Sequence, residues 1–329
     1  MDRKTLLDRL THKLQKRSST SALRLFPKSK PSTRLEGRGV RPAIAFHHAG
    51  YNPKDLNDTV ILRLRGCVRH KNGVKATTAI IALNIVTGNT FRSDSYLTSE
   101  RRGQRIHLRP DDILELPEYW FHVHDPECPF IEYDNAYICP SFAMWKFPHK
   151  NLPPSWDVDR RKGYTAGRNI SEWQGRTTDS RVNASIAVRM RDGSCVLSGV
   201  SNLECYCAYI IQSPQSSWYH EELLSQYVSQ ENPNAKRAIY CPQNGITLRR
   251  DLYRAFGDGE FAIVPKGKHW VAHFFDATTR LGEEFDQKRV RLSSDIPKEL
   301  LFAKFAACVF PLVRGFVQQG EQLEAGNPF

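Results

Sequence analysis

Sulfur, imidazole, carboxylate and guanidinium groups each occur in this chain at spacings that could do chemistry. Cys195, Cys205, Cys207 and Cys241 supply four thiols. A structural zinc site of the usual kind draws on C-x2-C pairs, and here the close pair is C-x-C, so buried structural thiols are the expectation. His122-x-His124 with Asp125 and Cys128 could hold a metal, or be the partly exposed end of a strand. His220 is the only histidine between Cys195 and Lys268. Asp251, Asp258 and Glu204 offer hard oxygen atoms suited to Mg2+. His269 and His273 are four apart on an expected strand; they share a face but stand roughly 13 Å apart, too far to share one ion. Arg249, Arg250 and Arg254 form a cationic group that could meet a phosphate backbone or simply face solvent.

The elements that must position these groups differ between the two halves. Residues 42–146 read as a β-rich domain. Thr59–Arg65 and the β-branched run Ala76–Val86 are expected as strands of a hairpin around the turn signal Lys71-Asn-Gly. Thr87-Gly-Asn is a second turn, and Tyr119–His124 and Phe130–Tyr133 alternate as strands do. Residues 147–180 hold a proline-rich connector, Phe147–Trp156, and a polar loop. From 181 to 329 a second domain is expected. Its order is a short strand at Cys195–Leu197, a strand at Cys205–Ile211, a long insert with a helical stretch from His220, a strand at Ile246–Leu248 and a two-turn helix over Arg249–Phe256. Strands at Glu260–Val264 and His269–Phe275 follow. Apolar residues at 300, 301, 302, 305, 308, 309, 312 and 316 predict a C-terminal amphipathic helix, with Pro311 as a kink point. The fold class is therefore α+β.

The stretch Cys195-Val-Leu-Ser-Gly-Val, then Cys207-Ala-Tyr-Ile-Ile-Gln, then Asn244-Gly-Ile-Thr-Leu-Arg-Arg-Asp-Leu-Tyr-Arg-Ala-Phe-Gly-Asp-Gly-Glu-Phe resembles the HNH endonuclease family in its fungal form. The segment Phe147–Trp156 resembles the region ahead of the nuclease domain in such proteins. The resemblance implies a ββα-metal domain that hydrolyses phosphodiesters of DNA or RNA with one divalent metal, Mg2+ if this copy is active. In the family a histidine general base lies at the position of Tyr209, a metal-binding histidine at that of Tyr253, and an orienting asparagine at that of Asn244. Gln212 stands where proline is usual, and Gly257 where aspartate is usual. A phenol, with a pKa near 10, is no general base at neutral pH, and as a neutral group it is a poor ligand. The expectation is an HNH-like protein that has lost catalysis and keeps the fold and nucleic-acid binding. Two alternatives stand beside it. One is an active endonuclease with a site rebuilt from His220, Asp251 or Asp258. The other is a module whose former cleft binds a protein partner. His47-His48 is a double histidine of a type some metal nucleases use, but Ala-Gly-Tyr-Asn-Pro follows it rather than an asparagine strand and a helix.

Composition bounds these expectations. A chain of 329 residues, 40% hydrophobic and 25% charged, can bury one large core or two ordinary ones. The net charge is +12, and residues 1–41 carry 12 of the 47 Lys and Arg against 3 of the 35 acids. The basicity thus lies in a Ser- and Pro-containing arm, suited to phosphate attraction, to a nuclear or mitochondrial address, or to no specific task. No apolar run of membrane-spanning length occurs. Eight scattered cysteines suit reduced thiols, and a nuclear or cytoplasmic location is expected.

Overall fold

Ile44–His48 forms the first strand, β1, buried from Ile44 to His47. The computed structural model describes residues 43–49, 59–65, 73–91, 95–123, 138–158, 180–228 and 238–325. They divide into two units, one holding residues up to 157 with 273–287 and 305 onward, the other holding 158–272 and 288–304. No helix among the described residues is long and apolar enough to cross a membrane.

In the N-terminal unit β2 (Val60–Leu64), β3 (Val74–Lys75), α1 (Ala76–Val86), β4 (Tyr96–Thr98), β5 (Ile113–Leu114) and β6 (Glu118–His122) follow β1. The main sheet has the order β2-β1-β6-β4; β1 runs parallel to β6, and the other two pairings are antiparallel. A register shift between Phe46 and His47 marks a bulge in β1. This is the β-rich architecture expected, with one correction: Ala76–Val86 is a helix, and β2 pairs with β1. Its β-branched side chains cost at most about 0.7 kcal/mol each in a helix. Burying an apolar side chain returns roughly 1.5–3 kcal/mol. Nine of the eleven residues are buried, Ala76, Ala79, Ala82 and Leu83 among them, so burial decides. The Thr87-Gly-Asn turn is present, with Gly88 at φ 80° and Asn89 at φ 67°. Asn89 Oδ1 accepts from Trp145 Nε1 at 2.8 Å and its Nδ2 donates to Lys146 O at 2.7 Å. Trp145 and Trp156 are each 1% exposed, and Trp156 lies against Phe305. Lys71, Asn72, His124, Asp125, Cys128 and Phe130–Tyr133 lie outside the described residues.

Next come α2 (Ser180–Asp192), β7 (Cys205–Tyr209), α3 (Ser216–Glu221), β8 (Gly245–Arg249), α4 (Arg250–Gly257), β9 (Phe261–Lys266), β10 (His269–Phe274), α5 (Arg280–Phe285) and α6 (Lys298–Ala325). The order strand, long connection, strand, helix is present as expected. Cys195–Leu197 is a correction: it is a turn, not a strand, although Val196 N still donates to Thr247 O. A second correction is α2, a helix whose start falls in the expected loop. Ala184, Ala187, Val188 and Arg191 are buried at i, i+3, i+4 and i+7, a helical face. The C-terminal helix α6 is present and runs through Pro311. Its residues 298–304 belong with the second unit and those from Phe305 with the first.

Candidate functional site

Strands β7 and β8 pair antiparallel in the register Cys205 with Arg249 through Tyr209 with Gly245. Helix α2 packs on this hairpin, close enough that a Cβ on Gly245 would meet Val188 Cγ2 at 2.7 Å and Cys207 Sγ at 3.1 Å. Glycine is the residue that permits this approach. The helix is fastened by charge as well. Arg191 donates to Gly245 O at 2.6 Å, to Pro242 O at 2.8 Å and to Asp192 Oδ1 at 2.8 Å. Asp192 Oδ2 accepts from Thr247 N at 2.7 Å. Both side chains of this ion pair are buried, with Asp295 a further partner at 3.3 Å. Sequence reasoning missed this cluster, whose signal was the helical spacing noted above.

Asn244 is fully buried just before β8. Its Oδ1 accepts from Ile211 N at 2.9 Å, and its Nδ2 donates to Ile211 O at 2.9 Å and Ile239 O at 2.8 Å. The side chain amide thus imitates a strand neighbour and holds together the two ends of the connection between β7 and β8. Its donors are both engaged with backbone.

Helix α4 begins where β8 ends. Leu252, Ala255 and Phe256 are buried, while Arg250 and Arg254 are exposed and Tyr253 is half-buried. Arg249 turns to Asp251, with contacts of 2.7 and 2.9 Å, and Asp251 also accepts from Leu252 N at 2.8 Å. Burial pushes the Asp251 carboxyl up, but the bonds from Arg249 and Leu252 outweigh it and leave the pKa below the usual carboxylate value. The hairpin, the clamped connection and the helix crossing β7 make one ββα unit.

Residues 195–264 match the HNH endonuclease family. No curated protein and no solved structure matches the chain.

Within this HNH region, Tyr209 closes β7 and its hydroxyl donates to Arg181 O at 3.2 Å, with its ring edge-on to Tyr240 at 5.5 Å. Tyr253 of α4 lies against Tyr206, ring centres 5.4 Å apart. Burial raises the pKa of both phenols, that of Tyr209 well above its ordinary value. The charge of Arg181 acts on both in the opposite direction, so these two positions share one electrostatic neighbourhood. Asn244 sits at the same end of the hairpin as Tyr209, since Tyr209 pairs with Gly245.

Gln212 and Gly257 are also neighbours. Gln212 Nε2 donates to Gly257 O at 3.1 Å, joining the end of the first strand segment to the end of α4. Those are the positions at which the resemblance expects proline and aspartate.

A divalent metal is the ion that the family match implies. The donors in place do not fit one. Among the described residues no group of three or more His, Cys, Asp or Glu side chains could hold a metal. His220 sits in α3 with its ring edge-on to Tyr219, Asp251 is engaged by Arg249, and Asp258 caps the end of α4. The thiols separate as well. Cys195 and Cys205 are hydrogen-bonded to each other; this bond holds the Cys195 thiol down to about 5 and raises that of Cys205. Cys207 lies beside Arg191, and burial raises its pKa to about 12. In the N-terminal sheet His47 Nδ1 contacts Thr59 Oγ1 at 2.8 Å and its Nε2 faces Glu118 at 3.5 Å. His48 is pushed down to about 4 by burial and by His122, which stacks on Tyr96.

Proposed function

We propose that the HNH region keeps an affinity for nucleic acid and has lost metal-dependent phosphodiester cleavage. The observation that carries this reading is the pair of phenols at positions 209 and 253, both with pKa values raised by burial. Hydrolysis of a phosphodiester needs a group that takes a proton from water at neutral pH. It also needs a charge that stabilises the crowded phosphate. A phenol with a pKa of 10 is ionised in about one molecule in a thousand at pH 7, and fewer still when that value rises. A neutral phenol also offers a hard cation little. The histidines expected from the resemblance would supply both functions, and general-base catalysis alone is worth roughly 100- to 10,000-fold. The exposed Arg250 and Arg254 supply local attraction for a polyanion without any cleavage chemistry, and the basic residues 1–41 add to it from outside the region.

The test is a plasmid-nicking assay with Mg2+, Mn2+, Ni2+ and Zn2+, paired with a binding assay on the same DNA. Salt-sensitive binding without nicking is the expected result. Metal-dependent nicking that travels with the protein through every purification step, and disappears in Asp251→Asn, overturns it in favour of a rebuilt site. Absence of any binding favours a protein partner instead.

A further inference from the structure

The outward face of α4 and the strand beside it carry an arrangement that cleavage does not require. Arg250, Tyr253 and Arg254 are spaced i, i+3 and i+4, so they lie on one side of the helix, opposite the buried Leu252, Ala255 and Phe256. The ring of Tyr206 lies beside that of Tyr253 at 5.4 Å and an angle of 35°, and both residues are only half-buried. Arg181, exposed in the first turn of α2, brings a third guanidinium whose charge reaches Tyr253. The nearest acid of the helix does not cancel this field, because Asp251 is neutralised by Arg249; Asp258 lies past the helix end.

We infer that this face binds single-stranded nucleic acid, with unpaired bases stacked on Tyr206 and Tyr253, and phosphates held by Arg181, Arg250 and Arg254 in place of a metal ion. The inference rests on the proposed loss of cleavage and specifies the ligand of the same site. Aromatic rings alternating with arginines suit a single strand, since every unpaired base offers a π-face while duplex bases are already stacked on each other. Guanidinium groups carry a fixed charge at any physiological pH, so the phosphates need no divalent cation. The occupant is chosen by charge complementarity and by the rings together; a duplex would use the arginines alone.

Fluorescence anisotropy with the full-length chain decides it. The probes are a labelled oligothymidine and a hairpin duplex of equal charge, each in excess chelator, at moderate and at high salt. The expected result is binding of the single strand that is unaffected by chelator and outlasts duplex binding as salt rises. Tyr253→Ala weakens single-strand binding about tenfold or more, whereas Tyr253→Phe, which keeps the ring, binds like the parent. Photocrosslinking of the oligonucleotide to the unmodified protein should place adducts on Tyr253 or Tyr206, a readout that does not depend on how well a variant folds. Adducts confined to residues 1–41, an unchanged Tyr253→Ala, or a need for divalent metal overturns the inference. Duplex bound in preference to single strand overturns it and leaves the proposed function standing. No nucleic acid bound at all overturns both.

Discussion

Two parts of the HNH region use polar residues in opposite ways. In the frame, where α2 meets the hairpin, the polar groups are buried and answered by backbone: Arg191 by two carbonyls, Asp192 by Thr247 N, Asn244 by Ile211 and Ile239. At the mouth, Tyr209 has one hydrogen bond at the surface, Tyr253 a ring neighbour, and Gln212 a bond to Gly257. A buried amide or charge that loses its partner is costly, whereas a half-exposed hydroxyl can turn to water. Tyr209 and Tyr253, two positions at which the resemblance places chemistry, are therefore not residues that specify the hairpin and helix, whereas Asn244, the third motif position, belongs to the frame. The architecture can persist after the chemistry has changed.

The sharpest way to break this contrast is at the frame. Asp192→Ala strips the closest counter-ion from the buried Arg191 and leaves Thr247 N unanswered, and should cost about 3–5 kcal/mol. A urea titration reads it as a shift in midpoint; a loss under about 1 kcal/mol would mean that Asp295 carries the pair alone. Asn244→Ala leaves Ile211 N, Ile211 O and Ile239 O without their partner and should cost about 3 kcal/mol. Its effect on nucleic-acid binding should follow the folded fraction, because the amide faces backbone and not a ligand.

His273 tests the rule from the other side. It is 5% exposed, and neither ring nitrogen has a hydrogen-bond partner. Burial pushes its pKa from 6.5 to about 4. The unfolded chain therefore binds the proton first as pH falls, so stability is level above pH 6.5 and declines between there and about 4. The decline attributable to this group should be about 2–3 kcal/mol, and His273→Phe should flatten that part of the acid limb. An unchanged acid limb would mean that other groups set it. Gly245→Ala should be milder, about 2 kcal/mol, from the clash with Val188. Val188→Ala in the same chain should recover part of that loss; strict additivity of the two would refute the close approach of α2.

Much of this frame was legible in the sequence because its signals are local. The run from β7 to β10 and the helix α4 follow from alternation, turn glycines and a two-turn apolar spacing. The amphipathic C-terminal helix was legible for the same reason. What escaped depends on partners far along the chain. Ala76–Val86 has the β-branched composition of a strand, and only burial around nearly the whole helix overrides it. Arg191 and Asp192 look like solvated charges until Gly245 and Thr247 are placed beside them. The proximity of Gln212 and Gly257, 45 residues apart, has no local signature at all.

That last contact sets the smallest and most discriminating prediction. If frame and mouth are separable, Tyr209→His with Tyr253→His should change stability by less than about 1 kcal/mol, since the Tyr209 hydroxyl gives up one surface hydrogen bond. The double variant alone should still give a nearly flat Ni2+ titration, because a single imidazole on α4 has no carboxylate beside it. Adding Gly257→Asp places a carboxylate four residues from position 253, one helical turn away and on the same side of α4. The new Cβ would meet only Gln212 Nε2, at 3.3 Å, the movable end of a side chain. Calorimetric metal binding should therefore appear with the third change and not before it. Binding already present in the double variant would show that the mouth keeps a hidden ligand. A flat titration for the triple variant on a folded chain would show that the frame itself has shifted, and that architecture and chemistry in this region were lost together.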